Sequence, residues 1–313
     1  QPGPKFPVLK PMRELVKPFN THWNSLTISN CIHKRMSKLI LPDLKYIEGL
    51  VLKSKPNSLR YGRRLYSFEC QRNAYWLKIQ LQQGHPSYLK GFQRELTFYQ
   101  QCLVSERLSK ITLPPKIVSK AFLGEIGLEV EQEQSLTHTL LLPEATPFFA
   151  VSPQSWSVQM IQHHLLRVLD VLDVLNEAGW LHADLKQEHF AEYDGQLKLI
   201  DFEQVQSIGQ SAQTEMNATP RYMAPELFHG EVKTVSTDLY ALGIVFYEWL
   251  SGQRLKAENY TDWAHLHCQR LNIEFPEKFL VFQPLLSKML AKHKAHRFDN
   301  FYAIKRALVT EIA

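Results

Sequence analysis

Residues 181–190 read LHADLKQEHF, and residues 197–205 follow with LKLIDFEQV. Within these two short runs stand a carboxylate (Asp184), an ammonium (Lys186), an imidazole (His189) and a second carboxylate (Asp201). Taken singly, either Asp is more simply a turn or cap residue. The surroundings decide. Immediately upstream, Val158, Ile161, Leu165, Leu169, Leu172 and Leu175 recur at helical spacing, and the run stops at Gly179, a natural helix end. Between the two polar runs, Asp194-Gly195 is the two-residue turn of a hairpin. The spacing therefore predicts a long buried helix, a polar loop, a hairpin and a second polar loop.

Further out, the chain divides by pattern. Residues 1–44 form an extension, Pro-rich at first and then helix-like over HWNSLTISNCIHKRMSKLILP, which Pro42 ends. Residues 45–133 carry short β-rich runs, KYIEGLVLK, RRLYSFEC and AYWLKIQL, separated by Pro, Asn and Gly, which predict an antiparallel meander. KGFQRELTFYQQCL then shows helical spacing at Phe92, Leu96, Tyr99 and Leu103, and PKIVSKAF and IGLEVEQ read as two more strands. Residues 134–313 read as mostly helical. A small β-rich lobe with one helix followed by a larger helical lobe is an α+β, two-lobed arrangement, and ligands sit in clefts between lobes.

Composition bounds the rest. With 44% hydrophobic and 21% charged residues the chain is of globular type, and a net charge of +5 with both signs interspersed gives no specific nucleic-acid surface. Cys31, Cys70, Cys102 and Cys268 form no C-x-x-C pair, which fits free thiols and a cytoplasmic location. The longest apolar run, YALGIVFYEWL, is broken by Glu248, so no membrane span is expected. The amino terminus has Pro and Lys where a signal peptide carries its apolar stretch, so no export signal is expected.

Six features now stand in order: Lys78 in YWLKIQ, Glu95 in FQRELTFY, Asp184 in HADLKQEHF, Asp201 in IDFEQ, Glu226 in ATPRYMAPEL and Asp238 in STDLYALGIVFYEWLSG. This order resembles the protein kinase superfamily, in its eukaryotic-like serine/threonine branch of bacterial type, over residues 46–310. The resemblance implies a bilobal kinase fold and an ATP-dependent transfer of the γ-phosphoryl group to a protein hydroxyl. It gives Asp184 the proton of the attacking hydroxyl and Lys186 the γ-phosphate. Lys78, oriented by Glu95, takes the α- and β-phosphates, and Glu131, Gln132 and Glu133 count with the nucleotide contacts. Asp201 and His189 take the metal, Mg²⁺ or alternatively Mn²⁺. Lys186 and Thr219 resemble the serine/threonine branch. Glu226 with Arg297 of KAHRF, and Asp238, are structural supports.

Four departures from the family pattern shape further expectations. The stretch KSKPNSLRYGRR has only Gly62 where a Gly-rich loop would bring several backbone N–H groups to phosphate. Ala183 replaces the Arg that clamps a phosphorylated activation loop, so activity should not depend on that modification. His189 replaces a metal-binding Asn, and imidazole favours Mn²⁺ relative to Mg²⁺. Glu203 replaces the Gly of D-F-G, which should stiffen the segment and bring a carboxylate near the metal. His189 and the altered D-F-G raise a lipopolysaccharide or sugar kinase as an alternative, and the poor Gly-rich loop raises a pseudokinase binding module. HLHC at 265–268 has metal-capable side chains but lacks a distant fourth ligand.

Overall fold

The computed structural model describes residues 47–82, 84–126, 128, 136–209 and 218–312. The expected extension 1–44, the strand IGLEVEQ apart from Ile126 and Leu128, and Glu131, Gln132 and Glu133 lie outside these. A five-stranded antiparallel sheet comes first, built from β1 (Ile47–Leu52), β2 (Arg63–Cys70), β3 (Asn73–Leu81), β4 (Lys116–Val118) and β5 (Leu136–Pro143) in the spatial order β1-β2-β3-β5-β4. The period-two pattern of β2 and β3 sends Phe68, Leu77, Ile79 and Leu81 to a small core shared with Val118, Phe122, Leu123 and Leu141. The same alternation sends Leu65, Trp76 and Lys78 to the other face, toward the cleft.

Two expectations change here. The sheet runs on to Pro143, ten residues past the expected lobe boundary at 133/134, because LTHTLLLP is apolar enough to lie between two neighbours. PKIVSKAF is a strand only over Lys116–Val118, after which Lys120–Glu125 turns helical.

Helix α1 (Pro86–Val104) opens with Pro at its first position and His85 as N-cap. It buries Phe92, Glu95, Leu96, Phe98, Tyr99 and Cys102 along one stripe, while Leu103, expected on that stripe, is 39% exposed near the helix end. Helix α2 (Val158–Glu177) starts at Ser157, whose hydroxyl accepts from the Met160 N–H at 3.2 Å, and Gly179 follows its end at φ +85°. The hairpin β6 (Phe190–Tyr193) and β7 (Gln196–Leu199) turns through Asp194 and Gly195, both at positive φ as a two-residue turn of this hand requires. Helix α3 (Val235–Ser251) is buried almost all round, and a capping box of Thr234 with Thr237 starts it. Helices α4 (Gln283–Met289) and α5 (Phe301–Thr310) complete the larger lobe.

The cores divide otherwise than lobe by lobe. The buried stripe of α1 belongs to the large core of the helical lobe. Its link is Phe202, fully buried, with ring centroids 4.4 Å from Phe98, 5.4 Å from Tyr99 and 5.3 Å from His182. A column of rings thus runs from α1 through Phe202 to His182, and removing an aromatic side chain of this kind from water contributes about 2–3 kcal/mol.

Candidate active site

Lys78, on β3, lies opposite Leu140 of β5, with its ammonium in the cleft. Its Nζ is 2.7 Å from Glu95 Oε2, 3.2 Å from Asp201 Oδ1 and 2.5 Å from Glu203 Oε1. Glu95 is held twice, since its other oxygen accepts from the Phe202 N–H at 3.2 Å. Burial pulls the Lys78 ammonium down, but Asp201, Glu203 and Glu95 outweigh it and raise it overall. Burial pushes the Asp201 carboxyl up, and Lys78, His189 and Lys186 reverse this, holding it well below the usual carboxylate range. Both groups are therefore charged at neutral pH.

Asp201 sits at φ +64°, a left-handed conformation that costs a non-Gly residue about 1 kcal/mol. Glu203 has no such φ, so the positive φ falls on Asp201 and the replaced glycine position needs none. His189 links the Asp201 carboxylate to the backbone of Asp184. Its Nε2 is 3.1 Å from Asp201 Oδ2 and its Nδ1 is 2.9 Å from the Asp184 carbonyl oxygen. With Nδ1 taken by the carbonyl, Nε2 is the ring nitrogen that faces Asp201, and without its proton it would meet a cation there. The residues present thus suit a divalent ion held by one carboxylate oxygen and one imidazole nitrogen.

The Asp184 carboxylate accepts from the Thr219 hydroxyl at 3.0 Å and the Thr219 N–H at 3.3 Å, and Lys186 Nζ lies 3.3 Å from its second oxygen. The loop itself is set from below: Asp238 at the start of α3 accepts from the His182 N–H at 2.9 Å and the Ala183 N–H at 3.0 Å. Those bonds hold Ala183 at φ +66°. Glu226 and Arg297 form a buried bidentate pair at 2.7 and 2.8 Å.

Beside Lys78 and Asp201 opens a cavity of about 540 Å³. Leu65, Trp76, Leu142, Phe190 and Ile200 give it apolar walls, and Lys53, Lys55, Arg63 and Lys78 give it four cations. A smaller cavity of about 250 Å³ adjoins Asp184 and Thr219, between Ser87, Tyr88 and Glu203. A depression of about 710 Å³ over Arg72–Tyr75 and Glu192–Gly195 contains none of the charged network. Sequence reasoning missed Trp76, Leu142 and Pro143 as lining residues. The described chain passing the cavity between sheet and helical lobe includes 142–147, placed there by the pairing of β5 with β3, while Glu131, Gln132 and Glu133 lie outside the described residues. It also missed Arg63 and Thr219 as partners of Glu203 and Asp184. In HLHC, His267 is buried, with its Nδ1 2.8 Å from the Tyr240 hydroxyl, so it is a core residue.

The protein kinase domain matches residues 128–308, well over half of the chain. The chain belongs to the protein kinase domain family. Within it, the chain is 26% identical over 161 residues to the probable serine/threonine-protein kinase PknB of Lactococcus lactis, covering 48% of this chain and 25% of that protein. It is 38% identical over 87 residues to cGMP-dependent protein kinase 2 of Rattus norvegicus, covering 27% of this chain and 11% of the other. The probable cAMP-dependent protein kinase catalytic subunit of Encephalitozoon cuniculi is 30% identical over 145 residues, 45% of this chain and 44% of that protein. The chain thus spans less than half the length of these kinase relatives. Among the described residues no helix is long and apolar enough to cross a membrane.

Proposed function

We propose that the chain is a serine/threonine protein kinase, moving the γ-phosphoryl of ATP to a protein hydroxyl. One observation carries this: the Lys78–Glu95–Asp201 charge network is joined through His189 to the loop that presents Asp184. ATP bound with Mg²⁺ or Mn²⁺ supplies the phosphoryl group and an ion that screens its charge. Lys78 binds the α- and β-phosphate oxygens, and Glu95 keeps its ammonium pointed into the cleft. Asp201 and His189 hold the ion. Asp184 orients the acceptor hydroxyl and accepts its proton, with Thr219 fixing the carboxylate. Lys186 neutralises charge that develops on the transferred group. The relatives' names favour a protein acceptor over the glycan that His189 suggested.

Incubation with labelled ATP and Mg²⁺ or Mn²⁺ tests this reading. Label should appear on the chain itself or on a generic protein substrate. Asp184→Ala should lose at least about 10²-fold in transfer, the scale of general-base catalysis, while still binding nucleotide. Transfer that persists in this variant removes Asp184 from its role.

A further inference from the structure

Arg63, the first residue of β2, sends its guanidinium into the same cavity as Lys78. Its Nη2 is ion-paired with Glu203 Oε2, and Lys78 Nζ lies 2.5 Å from the other oxygen of the same carboxylate. One carboxylate therefore bridges two cations, as two oxygens of a phosphate would. Both ends of the bridge are fixed. The Glu203 carbonyl accepts from Arg94 Nη1 at 2.7 Å, and the Arg63 guanidinium lies 4.9 Å over the Tyr88 ring. Among the described residues Arg63 Nε is buried without a hydrogen-bond partner, a donor with capacity to spare.

The glycine on this side of the cleft is committed elsewhere, its N–H donating to the Leu59 carbonyl at 3.0 Å. The Gly62 carbonyl accepts from the Leu81 N–H at 2.9 Å, and a Cβ at Gly62 would lie 2.9 Å from Gly84 Cα. Tyr61 stacks on Tyr88 at 4.8 Å and 8°. The turn is thus clamped onto the start of α1, and its glycine serves close chain packing. Gly62 therefore offers no N–H to a polyphosphate, whereas the side chains of Arg63 and Lys78 bring positive charge to the cavity.

We propose that Arg63 is a nucleotide-phosphate ligand of this kinase, standing in for a glycine-rich loop, and that Glu203 is a resident competitor for that seat. A polyphosphate entering the cavity displaces the Glu203 carboxylate from Arg63 and Lys78. With Glu203 in place its carboxylate already occupies both Arg63 and Lys78, so an added anion reaches these two cations only when that carboxylate moves. The seat is selective for phosphate and indifferent to the base, because it is made of the charges of Arg63, Lys78 and Glu203 alone.

The inference rests on the nucleotide-binding part of the proposed function and is tested by binding. Fluorescent MANT-ATP is titrated into the full chain and its variants, in EDTA and again in Mg²⁺, with ATP and adenosine as competitors. Arg63→Met should weaken MANT-ATP about tenfold or more, the scale of one charge-assisted bond, and leave adenosine competition unchanged. Arg63→Lys should recover part of the loss. Glu203→Gln should tighten MANT-ATP in both buffers, a gain that misfolding cannot produce. Unchanged affinity in Arg63→Met overturns the proposal. So does weakening in Glu203→Gln confined to Mg²⁺, which would make Glu203 a metal ligand instead. Phosphoryl transfer that fails while these binding shifts appear would overturn the proposed function and leave this inference standing.

Discussion

Arg297 and Glu226 pair where both side chains are almost wholly out of water, so each charge depends on the other. Two parallel N–H···O bonds of 2.7 and 2.8 Å offset a desolvation cost of several kcal/mol per ion. Arg297→Met leaves the Glu226 carboxylate alone and should destabilise by about 3–5 kcal/mol in urea unfolding. Arg297→Met with Glu226→Gln should recover part of that loss, since no buried charge is then left unpaired. His189 sits at the same scale but acts through its ring nitrogens. If Nε2 ligates the ion beside Asp201, His189→Asn replaces an imidazole by an amide oxygen and should move the metal preference of transfer from Mn²⁺ toward Mg²⁺. Parallel activity titrations with the two ions check this, and an unchanged preference would leave the imidazole with its hydrogen bonds alone.

Two glycines inside helices show how an element's surroundings set the sign of a substitution. Gly91 lies in α1 and Gly243 in α3, and by helix propensity alone each would gain about 1 kcal/mol as Ala. At Gly91 the added methyl would meet Glu203 atoms at 3.4–3.5 Å, an ordinary contact. At Gly243 it would meet Leu290 Cδ2 at 2.8 Å and Cγ at 3.0 Å, in the fully buried seam between α3 and the end of α4. Gly91→Ala should therefore stabilise by about 0.5–1 kcal/mol and Gly243→Ala destabilise by about 1–3 kcal/mol. Thermal melts of the two variants should shift in opposite directions.

Across the whole molecule, acid stability follows from rings buried without charge. Burial pushes His164 and His267 down to about 4 and His182 to about 3, from the ordinary 6.5. For a depressed histidine the unfolded chain binds a proton that the folded chain refuses. Stability is therefore full above pH 6.5 and falls as pH drops toward 4. Asp238 runs the other way. Burial pushes its carboxyl up to about 7, partly opposed by the His182 and Ala183 N–H groups, so its contribution weakens as pH rises from about 4 to 7. His164 isolates one term, because its ring stacks on Phe148 at 3.8 Å and on Trp249 at 4.8 Å, and a phenyl ring keeps both stacks. His164→Phe should remove up to about 3 kcal/mol of acid destabilisation between pH 6.5 and 4, read as a flatter dependence of melting temperature on pH.

Through its resemblance to the protein kinase family, the order of Lys78, Glu95, Asp184, Asp201, Glu226 and Asp238 along the chain implied the kinase fold, while local patterns by themselves gave an α+β, two-lobed arrangement. Local patterns also placed β2 and β3, α1, α2 and the Asp194-Gly195 hairpin. Contacts between distant segments were beyond their reach. LTHTLLLP reads as strand only once β3 and β4 lie on either side of it, which brings Leu142 and Pro143 to the cavity wall. The bridge from Glu203 to Arg63 spans 140 residues and the hold of Thr219 on Asp184 spans 35, and neither leaves a periodic trace in sequence. Pattern in sequence records what each segment does with its neighbours along the chain, whereas charge pairing across a cleft depends on distances that exist only after the chain has folded.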